Sequence, residues 1–550
     1  MSGRFTGAPS SRARLAVGSR PAVGLLLAAF LAVPRSAVGQ DPQAPSPVEA
    51  AAVIDTVVLE RYDVFTAAEA RGSFLYRAVN ALHAVTRPYV IERELLLEAG
   101  QAYDSTLAAE TERNLRRRRL FREVSVDTTR TANGELALRV RTVDAWSTRP
   151  RVRLAVTSAG RATGTIGVTE FNLLGTGVPF TLAYQKFVDR DGIEVGTSIS
   201  RAFGTSLFLG GLYQGLSDQK RGNWRVGKPF YSLSDRTAFE YSGQAFNGQV
   251  RRYRTNNAVS RDTMFWDRRA LVHRAVGAFS PIAGPSSYLR IGATAEYRRE
   301  TYARRDDTVS VVPDSAYGQI GGFLEYRRAD FQVVRFVNGF AREDQDLSEV
   351  VHIGLQLAPA AWGYAAGGIG PVVQLRAGGR LGSAILKGVL SANAVYNSAG
   401  LDSGRVSLQL TGVVKPARKH ALFVSLYGGA RKDPAPGGEF DLGFPGPPRL
   451  WDAHSFTGTR SVRVIVEHRW FAWDDIFRVL GLGLAGFIDY AGAWYPDQDA
   501  RFGGNVGVAL LAGSPLNAIP ENVQLSLGYR FGREIAGDRW VFSLGMSYFL

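Results

Sequence analysis

The sequence predicts a transmembrane β-barrel of about 16 antiparallel strands, preceded by one small α+β domain. Three observations predict it. From residue 152 to the end, apolar and polar residues alternate in short runs with no helical interlude, the pattern of strands with one face in an apolar medium. The composition is rich in glycine and aromatics, with 61 Gly, 30 Phe, 21 Tyr and 9 Trp in 550 residues and no Cys, yet no apolar run is long enough for a membrane helix. The chain also begins like an exported protein.

Residues 1–39 read as a secretory signal. Arg4, Arg12, Arg14 and Arg20 form a positive start, and 22–33 (AVGLLLAAFLAV) is an apolar core too short to span a bilayer. Ala37, Val38 and Gly39 give a small-x-small cleavage site. Residues 40–52 are a Pro/Ala-containing linker.

Residues 53–146 form a small unit. A β-like run at 53–59 is followed by helical spacing at 90–99 and a stop at Gly100. Ser105 is the expected cap of a second, strongly basic helix reaching about Arg119, with Leu107 and Leu115 turned inward. Its arginines suit either a solvated face or a binding patch. Two strands, at 123–128 and 135–142, join through Ala132, Asn133 and Gly134.

Residues 147–550 supply the barrel. The first strand is expected at about 152–158, with Leu154 and Val156 on its lipid side. The last, 540–550 (WVFSLGMSYFL), places Trp540, Phe542, Leu544, Met546, Tyr548 and Leu550 on one face and carries aromatics near both ends. Its hairpin partner alternates Val523, Leu525, Leu527, Tyr529 and Phe531. Polar inserts are expected at 217–228, 251–267 and 298–314. With ~10 residues per strand and connections averaging ~15, about 400 residues give about 16 strands. Closure removes the open edges such a sheet would leave.

The formal net charge of +15 rests on arginine. Because the arginines fall on the polar parity of strands or in turns, a basic lumen or pairing with acidic lipid headgroups explains the charge better than nucleic acid does. The six His residues show no metal-ligand spacing, and HExxH, GxSxG and Walker patterns are missing from the sequence. No enzyme activity and no cofactor are therefore expected.

Three groups of residues carry a family resemblance. The β-α-α-β-β order at 53–146, with Leu97 to Asp104 (LEAGQAYD) and Leu115 to Val126 (LRRRRLFREVSV), resembles the polypeptide-transport-associated (POTRA) domain. Glu170 to Gly177 (EFNLLGTG) resembles the first-turn motif of the outer-membrane assembly-factor superfamily, which includes BamA/TamA-like insertases, two-partner secretion transporters and bacterial surface antigens. Its key residues here are Asn172, Gly175, Thr176 and Gly177, and the two glycines permit a tight turn. Lys228 to Ser232 (KPFYS) is similar to a segment of some members. Phe440 to Trp451 (FDLGFPGPPRLW), with Gly443, Trp451 and then Gly458, is similar to the superfamily's lumen loop, although Phe444, Leu450 and Trp451 depart from its pattern. Glu467 follows on a strand. Phe487 to Ala491 (FIDYA) resembles the family's Phe-x-Asp-x-Gly strand, with Ala491 in place of Gly.

The resemblance implies that Arg449 in the loop pairs with Asp489 inside the barrel. It further implies an outer-membrane protein that helps β-barrel proteins insert, or polypeptides cross. The POTRA domain, in the periplasm, would capture an incoming strand at a sheet edge. The first and last barrel strands would form a seam that can open. The implied partners are outer-membrane lipids, unfolded outer-membrane or secreted polypeptides, and periplasmic or lipoprotein factors at the POTRA domain. A substrate-specific or passive pore, and a surface antigen with structural loops, are the alternatives.

Overall fold

The computed structural model describes residues 52–156, 162–253, 263–305, 311–532, 535 and 537–547. The expected signal at 1–39, nearly all of the linker, and Tyr548 and Leu550 lie outside them, as does the side chain of Met546.

The N-terminal unit is a three-stranded sheet packed on helices. Strand Leu136–Asp144 is central, parallel to Thr56–Tyr62 and antiparallel to Phe121–Arg130. Apolar residues at helical and strand spacing meet in one core: Ile54, Ile91, Leu97, Leu115, Leu120, Leu138 and Val140. The helix Ser105–Arg117 is capped one residue earlier than expected. Asp104 takes that role, its carboxylate accepting from the Thr106 and Leu107 amides at 2.7 and 3.3 Å. The helix expected at 90–99 is only Pro88–Glu92, and turns carry the chain on to Gly100, whose φ of +89° needs glycine. Two helices, Ala67–Arg71 and Phe74–Ala81, had no counterpart in the sequence reading.

The remainder closes into an antiparallel barrel of 20 strands among the described residues, not about 16. The undercount has a physical cause. Regions read as polar inserts are largely strand: Gln219–Lys228, the ends of Thr237–Tyr253 and Thr263–Ala283, and Ser287–Arg304. Their polar side chains line a wet lumen or rise past the apolar zone, so they lack the alternation that marks a lipid-facing strand. The first strand is Thr148–Val156, and the last is described through Ser547.

Outward-facing residues form a continuous apolar belt, including Ile166, Ile193, Phe239, Ile291, Leu324, Ile353, Val406, Ile488 and Val508. Tyr184, Tyr241, Tyr297, Tyr490 and Trp540 edge it toward the far mouth. Phe279, Tyr326 and Trp473 edge it toward the mouth that bears the N-terminal unit. An exposed belt with aromatic edges is the surface of a barrel set in a bilayer.

A barrel of this size would enclose an aqueous channel unless filled. Two connections fold inward. From the far mouth comes 433–459, pinned by the short pair Phe440–Leu442 and Phe456–Gly458. From the domain-side mouth comes 329–348, built on the hairpin Phe331–Arg335 and Arg342–Asp346.

Candidate functional site

The far-side loop enters the lumen on a backbone that only small residues allow. Gly443 has φ +121°, and a Cβ there would stand 1.9 Å from the Asp452 carbonyl oxygen. A Cβ on Gly458 would meet the Trp494 backbone at 2.1 Å. Trp451 packs on Phe456 with ring centroids 4.9 Å apart and donates its indole N–H to the Gly504 carbonyl at 3.0 Å. These contacts place Arg449 against the barrel wall.

There Arg449 meets Asp489. Its Nε and Nη2 donate to the two carboxylate oxygens at 2.8 Å each, and its backbone N–H donates to Oδ2 at 3.0 Å. Nη1 donates to Glu467 Oε2 at 2.5 Å, and the guanidinium lies 4.2 Å above the Phe487 ring. Glu467 and Asp489 are fully buried. Such charges are stable only when paired. The structure thus brings together Arg449, Asp489, Glu467 and Phe487.

Four residues that the sequence did not single out complete this cluster. Arg469 donates to Glu467 Oε1 at 2.7 Å and to the Asn338 carbonyl at 2.8 Å. Asn505 donates to Asp489 Oδ2 at 3.2 Å, and Arg530 donates to the Leu450 carbonyl at 2.5 Å. Asp489, Asn505 and Arg530 are register neighbours on three successive strands, a row visible only once pairing is known. Arg469 carried a usable signal, because it sits two residues from Glu467 and so shares its face. Asn338, at the tip of the domain-side hairpin, carried none.

The first-turn motif lies elsewhere, at the domain-side mouth. Asn172 donates to the Ala84 carbonyl and to Thr86 Oγ1 at 3.1 and 2.9 Å, and its own Oδ1 accepts from the Gly177 amide. Gly175 and Gly177 have φ of +76° and +65°. Beyond that strain, a Cβ on Gly175 would stand 2.5 Å from the Val85 carbonyl oxygen, and one on Gly177 would stand 2.8 Å from Val90. The glycines therefore serve close approach of the N-terminal unit as much as the turn itself. Thr176 caps the turn by donating to the Leu173 carbonyl.

Other domain-side turns meet the same unit. Arg93 donates to the Arg201 carbonyl, Glu110 accepts from the Leu233 amide, Arg116 pairs with Asp344, Tyr76 donates to the Phe477 carbonyl, and Trp146 donates to the Leu516 carbonyl. The unit covers this mouth. Two carboxyls in it are shifted upward. Burial pushes Asp144 up to about 6, against two hydrogen bonds from Thr86 that favour its carboxylate. Burial likewise raises Glu94, opposed by Arg118 and Arg201.

The closing strands meet at a narrow contact. Among the described residues only Ser543↔Ala155 and Leu544↔Leu154 are in register. The last strand's other edge is paired throughout, from Asn522↔Ser547 to Tyr529↔Trp540. Leu154, Val156, Trp540 and Phe542 face outward and are exposed, whereas Ser543 is buried. Behind the seam lies a lumen cavity of about 310 Å³, lined by Arg153, Tyr427, Arg449, Arg463, Ser526 and Ser543.

No protein-family model and no curated protein matches this chain. Solved structures to which it is similar include BamA from Haemophilus ducreyi lacking POTRA domains 1–3, at 12% identity and TM-score 0.39, covering 90% of this chain and 85% of that one. CdiB from Escherichia coli aligns at 10% identity and TM-score 0.45, covering 94% and 93%. The FrpB iron transporter from Neisseria meningitidis aligns at 11% and 0.38, covering 78% and 87%. Likenesses at this level carry no argument about activity.

Proposed function

We propose that this protein resides in the outer membrane and assists the insertion of β-barrel proteins, or the passage of polypeptides, through a lateral opening between its first and last strands. The observation that carries the reading is the seam. Among the described residues two register pairs close it, beside strands paired along their length. A path through the lumen is opposed by the loop at Arg449 and by the inward hairpin, which are joined inside it through Glu467 and Arg469. A path through the wall needs the described contact of Leu154 and Ala155 with Leu544 and Ser543 to part.

In this reading the N-terminal unit is a POTRA domain in the periplasm, and the far-side loop is the superfamily's lumen loop. Strand Thr56–Tyr62 pairs along one edge only in the described sheet, so its other edge offers backbone groups to an extended client. The client would pass from that edge to the seam, and Arg449 with Asp489 would hold the lumen closed meanwhile. The partners are outer-membrane lipids, unfolded polypeptides, and periplasmic or lipoprotein factors at the POTRA domain. The role is non-enzymatic.

The test is reconstitution. Vesicles containing the protein should fold an added unfolded barrel protein several-fold faster than empty vesicles, while releasing entrapped small solutes little faster. Solute release without accelerated folding would replace this reading with a pore.

A further inference from the structure

The domain-side hairpin enters the proposed function only as an obstacle in the lumen. Its arms, Phe331–Arg335 and Arg342–Asp346, carry a tip whose Phe336, Val337 and Phe340 are buried among Val413, Ala421, Phe423 and Phe471. Phe340 meets Phe471 edge-on at 5.1 Å. A Cβ on Gly481 would stand 2.3 Å from the Phe340 ring, so the wall is shaped to receive it. At about 3.3 Å per residue, a five-residue arm reaches ~17 Å inward. That is far enough to meet residues held by the opposite mouth's loop.

The hairpin touches the N-terminal unit at its base and the Arg449 cluster, through Arg469, at its tip. At its base, Arg116 of the N-terminal unit donates to Asp344 at 2.8 Å, and Arg113 and Arg117 lie 5.0 and 5.2 Å from the Phe331 ring. Next along the chain, the Glu343 carboxylate accepts from Asn338 N and Nδ2 at 2.8 and 2.7 Å, which fixes the tip. The Asn338 carbonyl accepts from Arg469 at 2.8 Å and from Asn522 at 2.6 Å. Arg469 holds one oxygen of Glu467, and Arg449 holds the other. Each interior member of this series, from Glu343 to Glu467, is buried. A polar series so placed has few ways to rearrange one member alone, because an unpaired buried group is costly.

We propose that the hairpin transmits the docking state of the N-terminal unit to the far-side lumen loop, with Glu343, Asn338 and Arg469 acting as positioning residues for Arg449. Release of Arg116 from Asp344 frees the hairpin base. The tip then withdraws its carbonyl from Arg469, Arg469 loses the orientation that shares Glu467 with Arg449, and the loop opens. Capture of a client by the N-terminal unit would thereby be reported at the opposite mouth. The coupling itself needs the Arg449 cluster but no insertion activity, so it stands or falls separately from the proposed function.

The experiment measures chymotrypsin cleavage within 433–459, which contains Phe440, Trp451 and Phe456, applied from outside to full-length protein in vesicles. Asp344→Arg should raise the rate at least fivefold, the lower end of usual coupling between sites. The swap Arg116→Asp with Asp344→Arg should return it to within about twofold of the parent. Arg93→Ala loosens the N-terminal unit at another turn and should leave the rate unchanged. Asp344→Asn provides a milder variant should the arginine prevent folding, and retention of heat-shifted gel migration certifies each barrel. An unchanged rate in folded Asp344→Arg and Asp344→Asn overturns the proposal. So does an increase that the swap fails to reverse, since that is local damage.

Discussion

Replacing Arg449 with alanine should release the far-side loop, and the structure sets the scale. The substitution removes two charged bonds to Asp489 and one to Glu467. Glu467 keeps Arg469, but Asp489 is left fully buried with only the loop amide and Asn505. Breaking a buried pair from one side typically costs about 3–5 kcal/mol. At 1.4 kcal/mol per factor of ten, the open population should rise by roughly two to three and a half orders of magnitude. Proteolysis follows that population when reclosing is fast, so chymotrypsin cleavage within 433–459 should accelerate by a similar factor. Asp489→Ala should do less, because Arg449 retains Glu467. The double substitution should be no worse than Arg449→Ala alone. Cleavage of Arg449→Ala within threefold of the parent, or additive losses in the double, would refute the reasoning.

Gly175→Ala should undock the N-terminal unit at its first turn. The backbone there is left-handed, and the new methyl would strike the Val85 carbonyl oxygen, so about 1–3 kcal/mol of local stability is lost. Faster hydrogen exchange at 84–87 would show it. The N-terminal unit should lose stability as pH rises from about 4 to about 6. Folded Asp144 holds its proton up to about 6, against about 3.9 when unfolded, so the penalty for ionising it is absent below the lower value and complete above the higher. The full effect approaches ~3 kcal/mol, and Asp144→Asn should flatten the curve in urea titrations read by pulse proteolysis of 53–146. The mature protein should fractionate with the outer membrane and migrate faster unheated than boiled; a soluble fraction without a heat shift would contradict the barrel.

The barrel was legible because lipid selects one parity of side chain, which sequence displays directly. The strand count was not, since residues such as Arg221 and Arg225 on Gln219–Lys228 face water and obey no such rule. Arg449 and Asp489 could be named because a local motif marked each, whereas Asn505 and Arg530 join them through register across neighbouring strands. The hairpin Phe331–Asp346 was invisible for a different reason. Its buried tip, FVNGFA, is short and apolar, and nothing local tells a lumen plug from another strand.

The seam tests the account most directly. The chain has no Cys, so a disulfide between Ala155→Cys and Ser543→Cys, which are in register, is unambiguous. Oxidised protein in vesicles should fail to accelerate folding of an added barrel protein, and reduction should restore the parental rate. Solute release should be the same in both states. If the oxidised protein inserts its client as fast as the reduced one, the wall does not open between the first and last strands, and the proposed function is wrong.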